Sequence, residues 1–126
     1  MKNALHGLRV LDLTMNLPGP YMTWLMAEMD AEVVKVENPD GGDPARAFMD
    51  PGEEIYFPLF EAVNRGKKSV TLDLKVDGGR SVFKTLLGGY DILVEGFRPG
   101  VMKTLGLDYE SLSSSFPNLL YVSITG

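Results

Sequence analysis

The chain has no cysteine and a single histidine in 126 residues. Without thiols there are no disulfides, no thiol catalysis and no cysteine–metal ligation. The lone histidine, His6, leaves no histidine cluster for zinc. No apolar stretch approaches the ~20 residues that a membrane-spanning helix needs. The N-terminus also lacks a signal-peptide pattern, so a cytoplasmic protein is expected. The G-x-G-x-x-G dinucleotide fingerprint is missing as well. Positive charge is scarce: the net charge is -5 and the pI about 4.8. That balance argues against nucleic acid as the main partner, although it permits a local basic patch for an anionic ligand.

The hydrophobic fraction of 44% and charged fraction of 23% suit one soluble domain with a sizeable core. Residues 8–13 (LRVLDL) form an apolar run with strand chemistry, followed by Thr14 and the turn Asn16-Leu17-Pro18-Gly19-Pro20. A helix is predicted next, with Gly19 as its cap and Pro20 in its first turn. Met22, Leu25, Met26 and Met29 then fall on one stripe. Residues 33–36 are a second strand, ending on Glu37. Strand, turn, helix, strand is a βαβ unit, which places ligands at its first turn.

Residues 38–44 (NPDGGDP) read as a loop, and Pro51-Gly52 as another break. Phe48, Tyr56, Phe57 and Phe60 suggest that this loop region packs on something. Further strands are predicted over 69–74, 91–95 and 119–124, and helices over 78–87 and 109–115. Val82, Phe83, Leu86 and Leu87 should face inward. Apolar strands separated by helices favour an α/β fold, a Rossmann-like, mostly parallel sheet with helices on both faces. Ligands on such sheets bind outside the carboxyl ends of the strands.

Several residues there carry possible chemistry. Arg65, Lys67, Lys68 and Lys75 flank the third strand, and as a group either neutralise phosphates or form a solvated basic loop. In Gly96-Phe97-Arg98, Phe97 stacks on a purine and Arg98 meets a phosphate, or else the segment is a plain turn with Phe97 as a core plug. Glu37 mimics the acid that holds a ribose in dinucleotide folds, but a salt bridge to a nearby lysine is the expected role. Asp12, inside a strand, should be paired, bonding backbone N–H groups at the turn. His6 is expected at the surface.

Taken together, these segments resemble the class III coenzyme A transferase family, which has transferase and racemase-like branches. The matching blocks are residues 5–14 (LHGLRVLDLT), 17–21 (LPGPY), 31–37 (AEVVKVE), 42–46 (GDPAR), 64–75 (NRGKKSVTLDLK), 91–102 (DILVEGFRPGVM), 117–121 (PNLLY) and 123–126 (SITG). They run in order over nearly the whole chain. The resemblance implies that residues 1–126 are the N-terminal, CoA-binding Rossmann-like part of a large domain. Its substrates would be a CoA thioester and a carboxylic acid, with no permanently bound cofactor. Family CoA contacts carried over by position fall on Met15, Asn16, Leu17 and Pro18, on Asn38, on Leu72, Asp73, Leu74 and Lys75, and on Gly96, Phe97 and Arg98. Two positions depart from the pattern. Asn38 stands where the family usually has arginine, and Gly96 where transferases often have asparagine. The Leu17–Pro20 turn is closer to the racemase-like branch.

The resemblance also places the catalytic acid downstream of Gly126, so no catalytic residue is assigned and this chain alone is expected to be inactive. A homodimer or larger homo-oligomer is expected. Lys75 and Arg98 are expected at neighbouring strand ends, sharing one anionic ligand. Two rival readings are a non-catalytic CoA-binding or oligomerisation module and an atypical NAD-binding domain.

Overall fold

The computed structural model describes residues 3–47 and 58–125, so the expectations for Phe48, Pro51, Gly52, Tyr56 and Phe57 fall outside the described residues. Five parallel strands, β1 (Arg9–Leu13), β2 (Glu32–Glu37), β3 (Lys68–Thr71), β4 (Ile92–Glu95) and β5 (Leu120–Ser123), form one sheet in the order β3-β2-β1-β4-β5. The crossovers carry α1 (Pro18–Glu28), α2 (Leu59–Asn64), α3 (Asp77–Leu87), α4 (Val101–Thr104) and α5 (Tyr109–Ser113), with a 3-10 turn at Pro44–Ala47. This is the expected α/β fold.

Strand alternation divides the core into two layers. Leu11, Leu13, Val34, Val36 and Leu93 meet Phe83 and Leu87 of α3, together with Met102, Leu107 and Leu112. On the opposite face Val10, Val33, Ile92 and Val94 meet Met22, Met26 and Ala27 of α1. Phe83 and Leu87 are fully buried, each worth about 1.5–3 kcal/mol of apolar transfer. Val82 is exposed instead of facing inward, because its neighbours Phe83 and Leu87 take the stripe that meets the sheet.

The first helix begins one residue before Gly19, at Pro18, with Leu17 as its N-cap. Gly19 has another role: a Cβ there would stand 2.2 Å from the Cβ of Thr14. The missing side chain lets α1 start against the end of β1. The predicted methionine stripe is half right. Met22 and Met26 pack on the sheet, Met29 is exposed, and Thr23 is fully buried.

The third strand stops at Thr71, three residues short of the prediction. Leu72 still donates its N–H to the Glu37 carbonyl at 2.9 Å, and the chain then turns toward α3. This frees Leu72, Asp73, Leu74 and Lys75 to cross the carboxyl edge of the sheet. The strand order also separates β3 from β4 by two strands. Lys75 and Arg98 therefore do not follow neighbouring strands. At ~4.8 Å per step, the strand ends they follow lie roughly 14 Å apart.

Candidate functional site: the carboxyl edge of the sheet

A cavity of about 360 Å³ opens over the carboxyl ends of β1, β2, β3 and β4. Leu13, Thr14 and Met15 bound it from β1, Val36, Glu37 and Asn38 from β2, and Leu72 to Lys75 from the segment after β3. Phe97, Val101 and Leu105 close the far side. The wall is mainly apolar, with Lys75 exposed beside it. Parallel sheets bind ligands at this edge.

The turn after β1 rests on buried charge. Asp12 accepts from the Thr14 N–H at 2.8 Å and from the Thr23 hydroxyl at 2.5 Å. Lys67 reaches the same carboxylate at 3.1 Å, and also donates to Thr23 Oγ1, Asn64 Oδ1 and the Pro20 carbonyl. Burial pulls the Lys67 ammonium down from 10.5 to about 8, against the opposing pull of Asp12. Lys67 is thus neither a phosphate ligand nor part of a solvated loop. It clamps β1, α1 and α2 together.

Beside Asp12 in register lies Lys35, also buried. Lys35 Nζ donates to the Thr14 carbonyl at 2.7 Å and lies 2.8 Å from Asp43 Oδ2. Asp43 Oδ1 accepts from the N–H groups of Asn16, at 3.0 Å, and Ala45, at 2.9 Å.

Glu37 is saturated. Arg46 forms a bidentate pair with it at 2.8 Å on each arm, and Ser69 Oγ and the Asp43 N–H supply two more hydrogen bonds. The Arg46 guanidinium, against the opposing effect of burial and with help from Ser69, brings the Glu37 carboxyl from 4.5 down to about 2, and the Arg46 pKa is raised in return. The expected lysine partner is therefore an arginine. It arrives from the 3-10 turn and stacks 3.7 Å from the Phe60 ring centroid. An acid engaged in this way has no lone pair left to hold a ribose, which weighs against the NAD reading.

Of the residues singled out from sequence, Met15, Asn38, Leu72, Asp73, Leu74, Lys75 and Phe97 line the cavity together. Asn16, Leu17, Pro18, Gly96 and Arg98 lie outside its lining, on the loops after β1 and β4 and at the start of α1. Phe97 packs against the core, as the plug reading has it, and also lines the cavity. Asp73 accepts from the Lys75 N–H at 2.9 Å, so it shapes its own turn. Asn38 donates to the Gly42 carbonyl at 3.0 Å. A Cβ on Gly96 would meet nothing closer than 3.7 Å, so the backbone does not require glycine there. Arg65 and Lys68 sit at the surface, paired with Glu28 and Glu32. Sequence reasoning missed Lys35 and Asp43, because neither strand periodicity nor turn composition reveals that a charge is buried.

Among the described residues no group of His, Asp and Glu has the arrangement of a metal site, and no helix is long and apolar enough to cross a membrane.

The chain is 49% identical to a succinyl-CoA:mesaconate CoA-transferase from Haloarcula hispanica, over 98% of this chain and 32% of that protein. It is 41% identical to a succinate–glutarate CoA-transferase from Agrobacterium fabrum, over 99% of this chain and 33% of that protein. The chain thus spans about a third of the length of these relatives. Among solved structures, Rv3272 from Mycobacterium tuberculosis superposes with a TM-score of 0.89 at 41% identity, covering 98% of this chain and 35% of that one. A CAIB/BAIF family protein from Brucella suis gives 0.89 at 37%, covering 100% and 34%. A short chain dehydrogenase/reductase family protein gives 0.59 at 21% identity, over 99% of this chain and 57% of that one, a likeness of fold alone. The sequence profile of CoA-transferase family III matches residues 5–126, and the chain belongs to that family, matching an N-terminal portion of its members.

Proposed function

We propose that this chain holds the nucleotide end of CoA in a class III CoA-transferase, and that the whole enzyme moves CoA between carboxylic acids. The supporting observation is the cavity at the carboxyl edge, where Met15, Leu72 and Phe97 offer apolar walls and Lys75 a cation beside them. An adenosine fits apolar walls, and a phosphate pairs with an ammonium. The transfer itself is nucleophilic: a carboxylate attacks the thioester and expels the CoA thiolate, the thiolate attacks the carboxylate's carbonyl in the resulting anhydride and releases the donor acid, and the acceptor acid takes CoA from the enzyme-bound thioester by the same two steps in reverse. That carboxylate belongs to a later segment of the full-length protein, and these residues alone are inactive. Transfer is preferred to epimerisation because the relatives compared above are named as transferases, and the acids in their names, succinate, mesaconate and glutarate, point to dicarboxylates. The exposed apolar side chains Leu17, Tyr21, Tyr109 and Leu120 suit contact with further protein, in a homodimer of cytoplasmic location.

Calorimetry with CoA tests the grip. Lys75→Ala should weaken binding about tenfold, the worth of one charge-assisted phosphate contact. Arg98→Ala should weaken it less, since Arg98 stands outside the cavity lining. Asn38→Arg, which adds a cation to the cavity wall, should tighten it. Equal binding by all variants, or competition by NADH as strong as by CoA, would overturn the assignment.

A further inference from the structure

The turn that carries Met15 and Asn16 does not hold its own shape. Asn16 is in the left-handed region at φ 64°, a conformation that costs a non-glycine residue free energy unless its surroundings impose it. Two groups from other segments do so. Lys35 Nζ holds the Thr14 carbonyl at 2.7 Å, and Asp43 Oδ1 holds the Asn16 N–H at 3.0 Å. The side chains of both are almost wholly buried, at 2% and 0% exposure, and lie 2.8 Å apart. Asp43 is fixed in turn, because its own N–H donates to Glu37 at 3.0 Å. A continuous set of contacts thus runs from Arg46 through Glu37 and Asp43 to the turn.

We infer that Asp43 is a positioning residue for the ligand-binding turn, coupling the conformation of residues 14–16 to that of the loop carrying Asn38, Asp40 and Gly42. The inference rests on the CoA reading above. Asp43 and Lys35 both border the cavity, but the Asp43 side chain is sealed from solvent at 0% exposure. It acts by aiming the backbone beside Met15, which lines the cavity together with Asn38, Asp40 and Gly42. Loop and turn then offer one pre-formed wall, and the ligand does not bear the cost of ordering two independent segments. A buried ion pair that contributes little net stability can still be retained for such conformational specificity, a hypothesis open to test for this pair.

Two double variants isolate the anchor. Lys35→Met with Asp43→Asn removes the charge pair but keeps an oxygen to accept the Asn16 N–H. Lys35→Met with Asp43→Leu removes the charge pair and the acceptor together. Neither leaves an unpaired buried charge, but the Leu variant also strands the Asn16 and Ala45 N–H groups, so it should melt below the Asn variant while both stay folded at the temperature of the binding measurement. The Leu variant should bind CoA at least tenfold more weakly than the Asn variant, and its Asn16 amide should exchange with solvent at least tenfold faster. Equal CoA affinity of the two, with wild-type protein binding normally, overturns the positioning role and leaves the CoA assignment standing. Failure of the wild type to bind CoA overturns the functional reading instead. In that case unchanged exchange at Asn16 overturns the anchor as well.

Discussion

The two ends of the sheet use the same residue types differently. At the amino edge, His6 pairs with Asp30, and Arg9 and Lys68 both approach Glu32 at 3.6 Å. Every one of these side chains is at least 41% exposed. Toward the carboxyl edge, the pairs Asp12–Lys67 and Lys35–Asp43 have side chains no more than 2% exposed. Exposed pairs contribute about 0–1 kcal/mol and are screened by salt. Buried pairs are costly to desolvate, and breaking one leaves an uncompensated charge. The amino edge is therefore a tolerant surface. The carboxyl edge is a fixed support under a cavity, built on buried charge.

The largest expected effect breaks the buried side of that contrast. Lys67→Met keeps the apolar stem but strands the Asp12 carboxylate, and should cost about 3–5 kcal/mol in urea unfolding. Adding Asp12→Asn removes the stranded charge and should recover part of the loss. Lys68→Met, one residue along and 71% exposed, should change stability by less than about 0.5 kcal/mol. Similar losses for the two lysine variants would abolish the distinction between the edges.

Those adjacent lysines also show what the sequence could and could not reveal. A strand made of buried Val, Leu and Ile announces itself, so β1, β2, β4 and β5 lie close to their predicted places. The segment from Arg65 to Lys75 carries four cations with no local sign of which is buried. Burial of Lys67 depends on Asp12, 55 residues away, and on α1 lying over both. The same limit applies to the separation of Lys75 from Arg98. Strand order is set by which crossovers pack on which face, and no residue near either cation encodes it. The four-residue helix α4 was missed because one turn has too few positions to show a period. Of the cavity, the residues legible in advance were those carried over by position from the family's CoA contacts, among them Met15, Asn38, Lys75 and Phe97. The supporting charges beneath them were not.

A smaller effect sharpens the comparison through pH. The Glu37 carboxyl has an ordinary pKa of 4.5 and a folded value of about 2. The unfolded chain therefore binds the proton more tightly. The stabilisation is complete above pH 4.5 and drains away as pH falls from 4.5 toward 2. Because Arg46 is 44% exposed, solvent screens part of the pair, and we expect about 2 kcal/mol from this group. Stability curves measured by urea unfolding between pH 6 and 3 should slope less steeply for Glu37→Gln than for wild type. Identical slopes would show that Arg46 does not hold Glu37 in solution.

The smallest effect has the opposite sign and lies at the amino edge. Asp30 follows the C-terminus of α1 with φ 79°, in the left-handed region where glycine is the favoured residue. Its carboxylate also sits near the negative end of the helix dipole, where an anion is unfavourable. The one compensation is His6, whose ring nitrogen lies 2.6 Å away with both side chains exposed. Asp30→Gly should remove the strain and the unfavourable charge at the cost of that surface pair and some chain entropy. The balance is a gain of roughly 0.5 kcal/mol, because a solvent-exposed pair returns less than a left-handed non-glycine residue costs. Urea unfolding at low salt, where a surface pair is at its strongest, gives the severest test. A loss of more than about 1 kcal/mol there would mean that His6 and Asp30 act as the buried pairs do.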